Sequence, residues 1–251
     1  MSLAGKVRGR LVESPNSFGA RSREQRWERV RAYFPGIDDM RVLDLGGTVQ
    51  FWTRLDRRPA HVVVVNLDVP DQAAHAPAVP DGITVVLGDA CDPPVEVRAD
   101  TFDLVFSNSV LEHVGGHAKR QAFAEVAQQL APLHWVQTPN RYFPLEPHWL
   151  FPGFQFLPVA ARASIAQRWP LAHTKSPNRD DALRATMSTE LIGRTELKAY
   201  FPDSELLEER TGPLTKSLIA VRSEKSPAPP GAPPAGSWRA EGLEGAEGAG
   251  R

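Results

Sequence analysis

Arg41-Val42-Leu43-Asp44-Leu45-Gly46-Gly47-Thr48-Val49-Gln50-Phe51-Trp52 is the stretch whose reading decides the fold. Three apolar residues, Val42, Leu43 and Leu45, make a short strand with Asp44 near its end. Two glycines and a small hydroxyl residue follow as a turn. In an open α/β sheet a nucleotide-like ligand lies just outside the carboxyl end of the first strand. Glycine suits that place because no Cβ blocks close approach of the backbone to the ligand.

Working outward, strands alternate with helical segments, which predicts a mostly parallel sheet with helices on both faces. A helical pattern over Ser17 to Phe34 precedes the first strand and ends at Pro35-Gly36. Its arginines, Arg21, Arg23, Arg26 and Arg29, read as a solvated face, with a lid helix that binds an anionic substrate as the sharper alternative. A short helix is expected over Val49 to Asp56. His61 to Leu67 is a continuous apolar run, suited to a strand buried on both faces, and Asp68 closes it. Pro70 to Pro80 reads as a loop. Ile83 to Leu87 is the third strand, running into Gly88-Asp89-Ala90. Cys91 to Asp100 reads as loop, because Pro93-Pro94 disfavours regular helix. Phe102 to Ser107 is the fourth strand, Ala118 to Leu130 a helix with Ala122, Phe123, Val126 and Leu130 on one face, and His134 to Gln137 the fifth strand.

The character then changes. Thr138 to Pro158 holds five prolines among many aromatics, so it is expected as a packed loop that covers something. Helices over Val159 to Trp169 and Arg179 to Ile192 would complete a small cap inserted at about 139–195. Glu196 to Phe201 is the helix returning to the sheet. Glu205 to Glu209 and Ser217 to Val221 are two strands joined in hairpin fashion through Thr211-Gly212-Pro213. The domain is therefore expected over 17–222. A flexible N-terminus is expected over 1–16, and a disordered Pro/Gly/Ala-rich tail over 223–251.

Composition narrows the function. The 251-residue chain carries a net charge of −1 and is 41% hydrophobic, values ordinary for a soluble globular protein. Neither nucleic acid nor an anionic membrane is called for as a partner. A single cysteine, Cys91, excludes an internal disulfide and a multi-cysteine zinc site. The first residues lack the apolar core of a signal peptide, no apolar run is long enough to span a bilayer, and a cytoplasmic location is expected.

The strand ends carry the chemistry. Asp44, Asp68 and Asp89 would close the first three strands. Asp68, about twenty residues after the glycines, can take the two hydroxyls of a ribose, with Asn66 as the neighbouring alternative. Asp89 can accept from an adenine amino group while the Ala90 N–H reads a ring nitrogen. Each is also a common turn former. A carboxylate in the first turn suits a cationic or hydroxyl-rich ligand better than a pyrophosphate, which points to S-adenosylmethionine (SAM) rather than a dinucleotide. The missing G-x-G-x-x-G counts the same way.

Phe102-Asp103-Leu104-Val105-Phe106-Ser107-Asn108-Ser109-Val110-Leu111-Glu112-His113-Val114 resembles the fourth-strand segment of class I SAM-dependent methyltransferases of the type 11 group. Arg41 to Gly47 resembles their first motif and Gly88-Asp89-Ala90 their third-strand motif, in order and spacing over roughly Phe18 to Arg222. The segment TPNRYFPLEPH from Thr138 is similar to that of a bacterial subgroup of this family. One departure stands out: Thr48 and Gln50 occupy two of the family's glycine positions. The resemblance implies a Rossmann-like sheet with an antiparallel last strand. It also implies SAM contacts from Asp44, Gly46, Gly47, Thr48, Asp68, Asp89, Ala90 and Asn108.

Methyl transfer to a hydroxyl is helped by a general base. His113, His148 and Glu146 are the candidates, each with a structural alternative: His113 packed beside the cofactor, Glu146 and His148 fixing the proline-rich loop. Asn140, Arg141 and Tyr142 are the expected substrate contacts, with a core-covering aromatic loop as the alternative. No metal is expected, since Glu146 and His148 alone are a weak pair. The expected reaction is methylation of a small-molecule or glycan-like acceptor, with oxygen favoured. The alternatives are C-methylation of a quinone-like ring in a slot of Phe143, Trp149, Phe151, Phe154 and Phe156, a non-catalytic SAM-binding module, and an NAD-binding oxidoreductase.

Overall fold

The computed structural model describes residues 18–68, 79–172, 176, 178–224 and 226. In chain order the elements are α1 (Phe18–Tyr33), β1 (Arg41–Leu45), α2 (Val49–Thr53), β2 (His61–Asn66), β3 (Ile83–Leu87), α3 (Val95–Arg98) and β4 (Leu104–Asn108). Then come α4 (His117–Gln129), β5 (Leu133–Pro139), β6 (Leu145–Glu146), β7 (Phe151–Pro152), α5 (Val159–Ala166), α6 (Arg179–Met187), α7 (Arg194–Tyr200), β8 (Glu205–Thr211) and β9 (Leu214–Arg222). Seven strands form one sheet in the order β3-β2-β1-β4-β5-β9-β8. All neighbours from β3 to β5 pair in parallel, and β9 runs antiparallel to both β5 and β8. This is the Rossmann-like arrangement of class I methyltransferases expected from the sequence.

The sheet is buried on both faces because its strands alternate between two cores. Leu43 and Leu45 of β1 face a core with Phe123, Ala124 and Ala127 of α4 and Leu197 and Tyr200 of α7. Val42 faces the other, with Trp27, Val30, Phe34, Trp52, Phe106 and Trp135. In α1 and at the residue just after it, the buried positions Arg26, Trp27, Val30 and Phe34 recur at helical spacing and form one stripe. Trp27, Phe51, Trp52 and Phe106 interlock edge to face, with Phe51 and Phe106 stacked at 5.4 Å. This aromatic block sits under the glycine turn and fixes its base.

A third cluster belongs to the segment after β5. Trp149 and Phe154 stack at 4.7 Å and pack with Ala163, Ala166 and Ala182 of α5 and α6. The long loop contains a two-stranded ribbon, β6 with β7, which the proline count concealed. Leu150 between them is held at φ 50, a left-handed turn that a branched side chain takes only under constraint.

Several expectations shift. A four-residue helix, α3, starts directly after Pro94 where loop was expected, because proline is compatible with a helix start. Thr211 pairs with Leu214, so the last hairpin is longer and tighter than expected, with Gly212 at φ 59 in its turn. Arg26 is not solvated: it is 7% exposed and grips Glu209 through two bonds of 2.6 and 2.5 Å. The flexible N-terminus, most of the Pro70–Pro80 loop and almost all of the Pro/Gly/Ala-rich tail lie outside the described residues. Among the described residues no helix is long and apolar enough to cross a membrane.

Candidate functional site

The site is built from the carboxyl ends of β1, β2 and β4 and from the ribbon after β5. Gly46 takes φ 77, and a Cβ there would overlap the Val110 side chain. A Cβ on Gly47 would overlap the Asp44 carboxylate. Both glycines are therefore required sterically, the first also by its left-handed backbone. Asn66 donates to the carbonyl of Gly47 at 2.7 Å and so braces the turn from the end of β2.

Asp44 lies under this turn, 1% exposed. Its Oδ2 accepts from Trp52 Nε1 at 2.7 Å, while Oδ1 has no hydrogen-bond partner. Burial pushes its pKa up to about 7, against the smaller lowering by the Trp52 bond. A buried carboxylate with an unpartnered oxygen beneath a Cβ-free turn fits a cationic ligand group such as the ammonium of SAM. The residues present thus fit the cofactor that the fold implies.

The other expected cofactor residues are distributed as follows. Thr48 caps the start of α2 with an extended backbone and no side-chain cap bond, and it is exposed, as is Gln50. Asp68 is exposed, its N–H donating to Asn66 Oδ1 at 3.1 Å. Asp89 accepts from the Cys91 N–H at 2.8 Å and from Lys119 at 2.9 Å. Burial would raise its carboxyl, but Lys119 and that N–H outweigh it and hold the pKa below the usual range. Ala90 is buried. Asn108 accepts from Arg26 Nη1 at 2.5 Å, which ties the end of β4 to α1.

Beyond β4 the backbone turns through Ser109 at φ 58, its hydroxyl donating to Gln137 at 2.9 Å. A non-glycine residue in that conformation marks a constrained turn. The turn sends Val110 onto Gly46 and presents Glu112 and His113. His113 Nε2 lies 3.1 Å from His148 Nε2, and His148 Nδ1 lies 2.7 Å from Glu146 Oε1. Glu146 is 3% exposed and also accepts from the Trp149 N–H at 2.7 Å. The three expected base candidates thus meet in one chain of contacts, although His113 and His148 come from different segments.

Glu112 completes the group. Its side chain is fully buried, with Oε2 accepting from Thr138 at 3.0 Å. Burial holds its pKa up at about 7 against smaller lowering effects that include His148. In the sequence Glu112 carries no signal for a role beyond its position beside His113.

The three expected substrate residues part company. Asn140 is engaged by backbone, donating to the Thr215 carbonyl at 2.9 Å and accepting from the Tyr142 N–H at 3.2 Å. Tyr142 is 66% exposed and stacks on Phe156. Arg141 donates to the Leu191 carbonyl at 2.7 Å, pairs with Glu196 at 3.1 Å, and lines a cavity of about 330 Å³. Glu146, Trp149, Phe154, Arg162 and Thr189 also line that cavity. Of the five aromatics expected to form one slot, Trp149, Phe151 and Phe154 pack together in the cap cluster, with Phe151 also against Trp169, while Phe156 is exposed and Phe143 is half-buried.

Residues 43–136, from β1 into β5, match the family described as "Methyltransferase domain". No curated protein matches the sequence. Among solved structures, the PH0226 protein of Pyrococcus horikoshii OT3 is 16% identical, with 89% of this chain and 99% of that one covered at a TM-score of 0.50. The N-methyltransferase NodS of Bradyrhizobium japonicum WM9 is 11% identical over 80% and 96%, TM-score 0.46. The small RNA methyltransferase HEN1 is 18% identical over 83% of this chain and 26% of that one, TM-score 0.48. The expectation against nucleic acid as acceptor finds no support in these likenesses. The family match and the sheet together support a methyltransferase domain of Rossmann-like fold, for which SAM is the implied methyl donor.

Proposed function

We propose that the protein transfers a methyl group from SAM to a hydroxyl of a small, polar, sugar-like acceptor. The observation that carries this reading is the continuity from the glycine turn to the cavity. Val110 covers Gly46, His113 follows three residues later, His148 faces it, and Glu146 both orients His148 and lines the cavity. A volume of about 330 Å³ lies at the small end of ligand sites. Its wall combines the Trp149 and Phe154 rings with Arg141, Arg162 and Glu146, a mixture that suits an acceptor with both C–H faces and hydroxyls.

Bound SAM supplies a methyl already activated on a sulfonium. The protein's part is to hold the acceptor oxygen in line and to receive its proton. Asp44 would hold the cofactor's ammonium. Asn66, Asp68 and Asp89 lie along the strand ends where ribose and adenine bind in this fold, Asp89 exchanging its Lys119 contact for the base. The imidazole pair, with Glu146 behind it, would take the hydroxyl proton as the new bond to carbon forms. The domain limits 17–222, the cap at about 139–195 and the placement in the TPNRYFPLEPH subgroup belong to the same proposal.

The experiment is equilibrium binding of SAM and NADH, followed by incubation with methyl-labelled SAM and fractionated polar metabolites and glycans. SAM binding with label entering an alkali-stable ether product is expected. NADH bound in place of SAM, or SAM bound with no label transferred to any fraction, would sink the reading.

A further inference from the structure

The hydrogen positions that the histidine pair requires have a consequence. His113 Nδ1 lies 3.2 Å from the Ser188 carbonyl oxygen and 3.3 Å from Thr189 Oγ1. A carbonyl only accepts, so Nδ1 carries a proton and points away from His148. His148 Nδ1 lies 2.7 Å from a carboxylate oxygen of Glu146, an acceptor that holds a proton on Nδ1 in the same way. Each imidazole is thus anchored through Nδ1, and the two ε-nitrogens converge at 3.1 Å. A shared proton or a metal ion held by both nitrogens satisfies that contact.

Glu112 adds a third donor. Its Oε1 is buried without a hydrogen-bond partner, and ligand atoms of Glu112, His113 and His148 all lie within 4.8 Å of one another. Two nitrogens 3.1 Å apart, each about 2.1 Å from one ion, subtend an angle of about 95°. That is the cis angle of an octahedron. Each imidazole already has the outer partner that metal-bound histidines have: a backbone carbonyl for His113, a carboxylate for His148.

We infer that Glu112, His113 and His148 form a binding site for one divalent first-row transition ion, with its remaining positions open to oxygens of the acceptor. Two imidazoles and one carboxylate select Mn²⁺, Fe²⁺, Co²⁺ or Zn²⁺ over Ca²⁺. Thr189, which touches His113, and Glu146, which orients His148, both line the cavity, so the open positions adjoin the acceptor space. The acceptor class that uses two adjacent open positions is a polyol with neighbouring hydroxyls. Such an ion lowers the pKa of a bound hydroxyl; with the ion bound, the proton passes to solvent and the imidazoles act as ligands in place of the proton acceptor proposed above. Only this consequence rests on the methyltransferase reading; the site itself does not.

The test is metal binding by the untagged full chain after chelator treatment and dialysis. Mn²⁺ is followed by electron paramagnetic resonance and Co²⁺ by its visible absorption, with titration calorimetry for stoichiometry and affinity, in the absence of SAM. One ion per chain is expected. His113→Ala, His148→Ala and the near-isosteric Glu112→Gln should each weaken binding by at least about 100-fold, and Glu146→Gln by about 10- to 100-fold. His117→Ala, which changes a histidine paired with Tyr200, should leave the affinity unchanged. Circular dichroism of each metal-free variant separates lost binding from lost folding, and Glu112→Gln carries the decision if a histidine variant unfolds. No stoichiometric binding by the wild type overturns the inference, as does equal binding by a folded Glu112→Gln protein. Metal bound without methyl transfer to any acceptor would leave the site standing and remove the reading above. Methyl transfer that persists after complete chelation would leave that reading standing and overturn the assignment of acceptor oxygens to the ion's open positions.

Discussion

Asp44→Asn tests the centre of the cofactor site, because it keeps the shape and the Trp52 bond while removing the charge. The folded carboxyl stands at about 7 against an ordinary 3.8, through burial. A carboxyl whose folded pKa exceeds its unfolded value binds its proton more tightly when folded. The stability it contributes is complete below about pH 4 and is lost as the pH climbs through about 7. The full shift corresponds to about 4 kcal/mol, of which about 3 kcal/mol falls between roughly pH 4.5 and pH 7.5. Urea unfolding of wild type and Asp44→Asn across that interval should show the variant gaining stability relative to wild type by about this amount as the pH rises. Cofactor binding at Asp44 has its own signature. If the SAM ammonium pairs with Asp44, binding near neutral pH releases a proton, and calorimetry in buffers of different ionisation enthalpy will detect it. Asp44→Asn should bind SAM weakly and release none. A stability difference flat with pH, or SAM binding by the wild type without proton release, would refute the reasoning.

Other consequences are more local. Burial, with a smaller contribution from Arg222, pushes the His134 imidazole down to about 3. Its neutral form therefore stabilises the fold above about pH 6.5, and that contribution drains away toward pH 3. His134→Gln should flatten the acid limb of stability measured by denaturant unfolding, and an unchanged limb would count against it. Gly47→Ala places a methyl on the Asp44 carboxylate, so SAM affinity by calorimetry should fall at least about tenfold while the far-ultraviolet dichroism stays native; full affinity would show that the turn yields. Arg26→Ala leaves the half-buried Glu209 carboxylate without its partner, at about 2–4 kcal/mol, whereas Arg26→Met with Glu209→Leu should recover most of that loss; a double-mutant cycle decides. Phe123→Ala removes a fully buried ring and should cost about 3–5 kcal/mol, read from the urea midpoint.

The sheet was legible because its information is local. Continuous apolar runs such as His61 to Asn66 belong to strands buried on both faces, and each strand announces itself without reference to the others. The antiparallel last pair came from resemblance and hairpin chemistry rather than from periodicity. The candidate site was legible residue by residue but not as an arrangement. Asn66 rather than Asp68 braces the glycine turn, which no propensity distinguishes over two positions. Arg26 reads as a surface cation until its partner, 183 residues away in sequence, is known. His113 and His148 meet only because a left-handed Ser109 and a ribbon hidden among prolines bring them together. The charge state of Glu112 depends on burial that a single glutamate in a sequence does not declare.

The clasp of α1 onto β8 has an implication for how the chain is made. Arg26 holds Glu209, Arg29 reaches the Glu208 carbonyl and Tyr33 the Glu205 carboxylate. The helix translated early therefore docks in part against a strand translated late, and that part of its seat does not exist until the final hairpin has left the ribosome. Until then its apolar stripe can pack on β1, β4 and β5, but Arg26, Arg29 and Tyr33 lack their partners on β8. Closure over so long a span is entropically slow, so the last step of folding should be the joining of the two flanks of the domain. A nascent chain arrested before β8 would expose the edge of β5 that β9 later pairs, the state in which a chaperone is most needed.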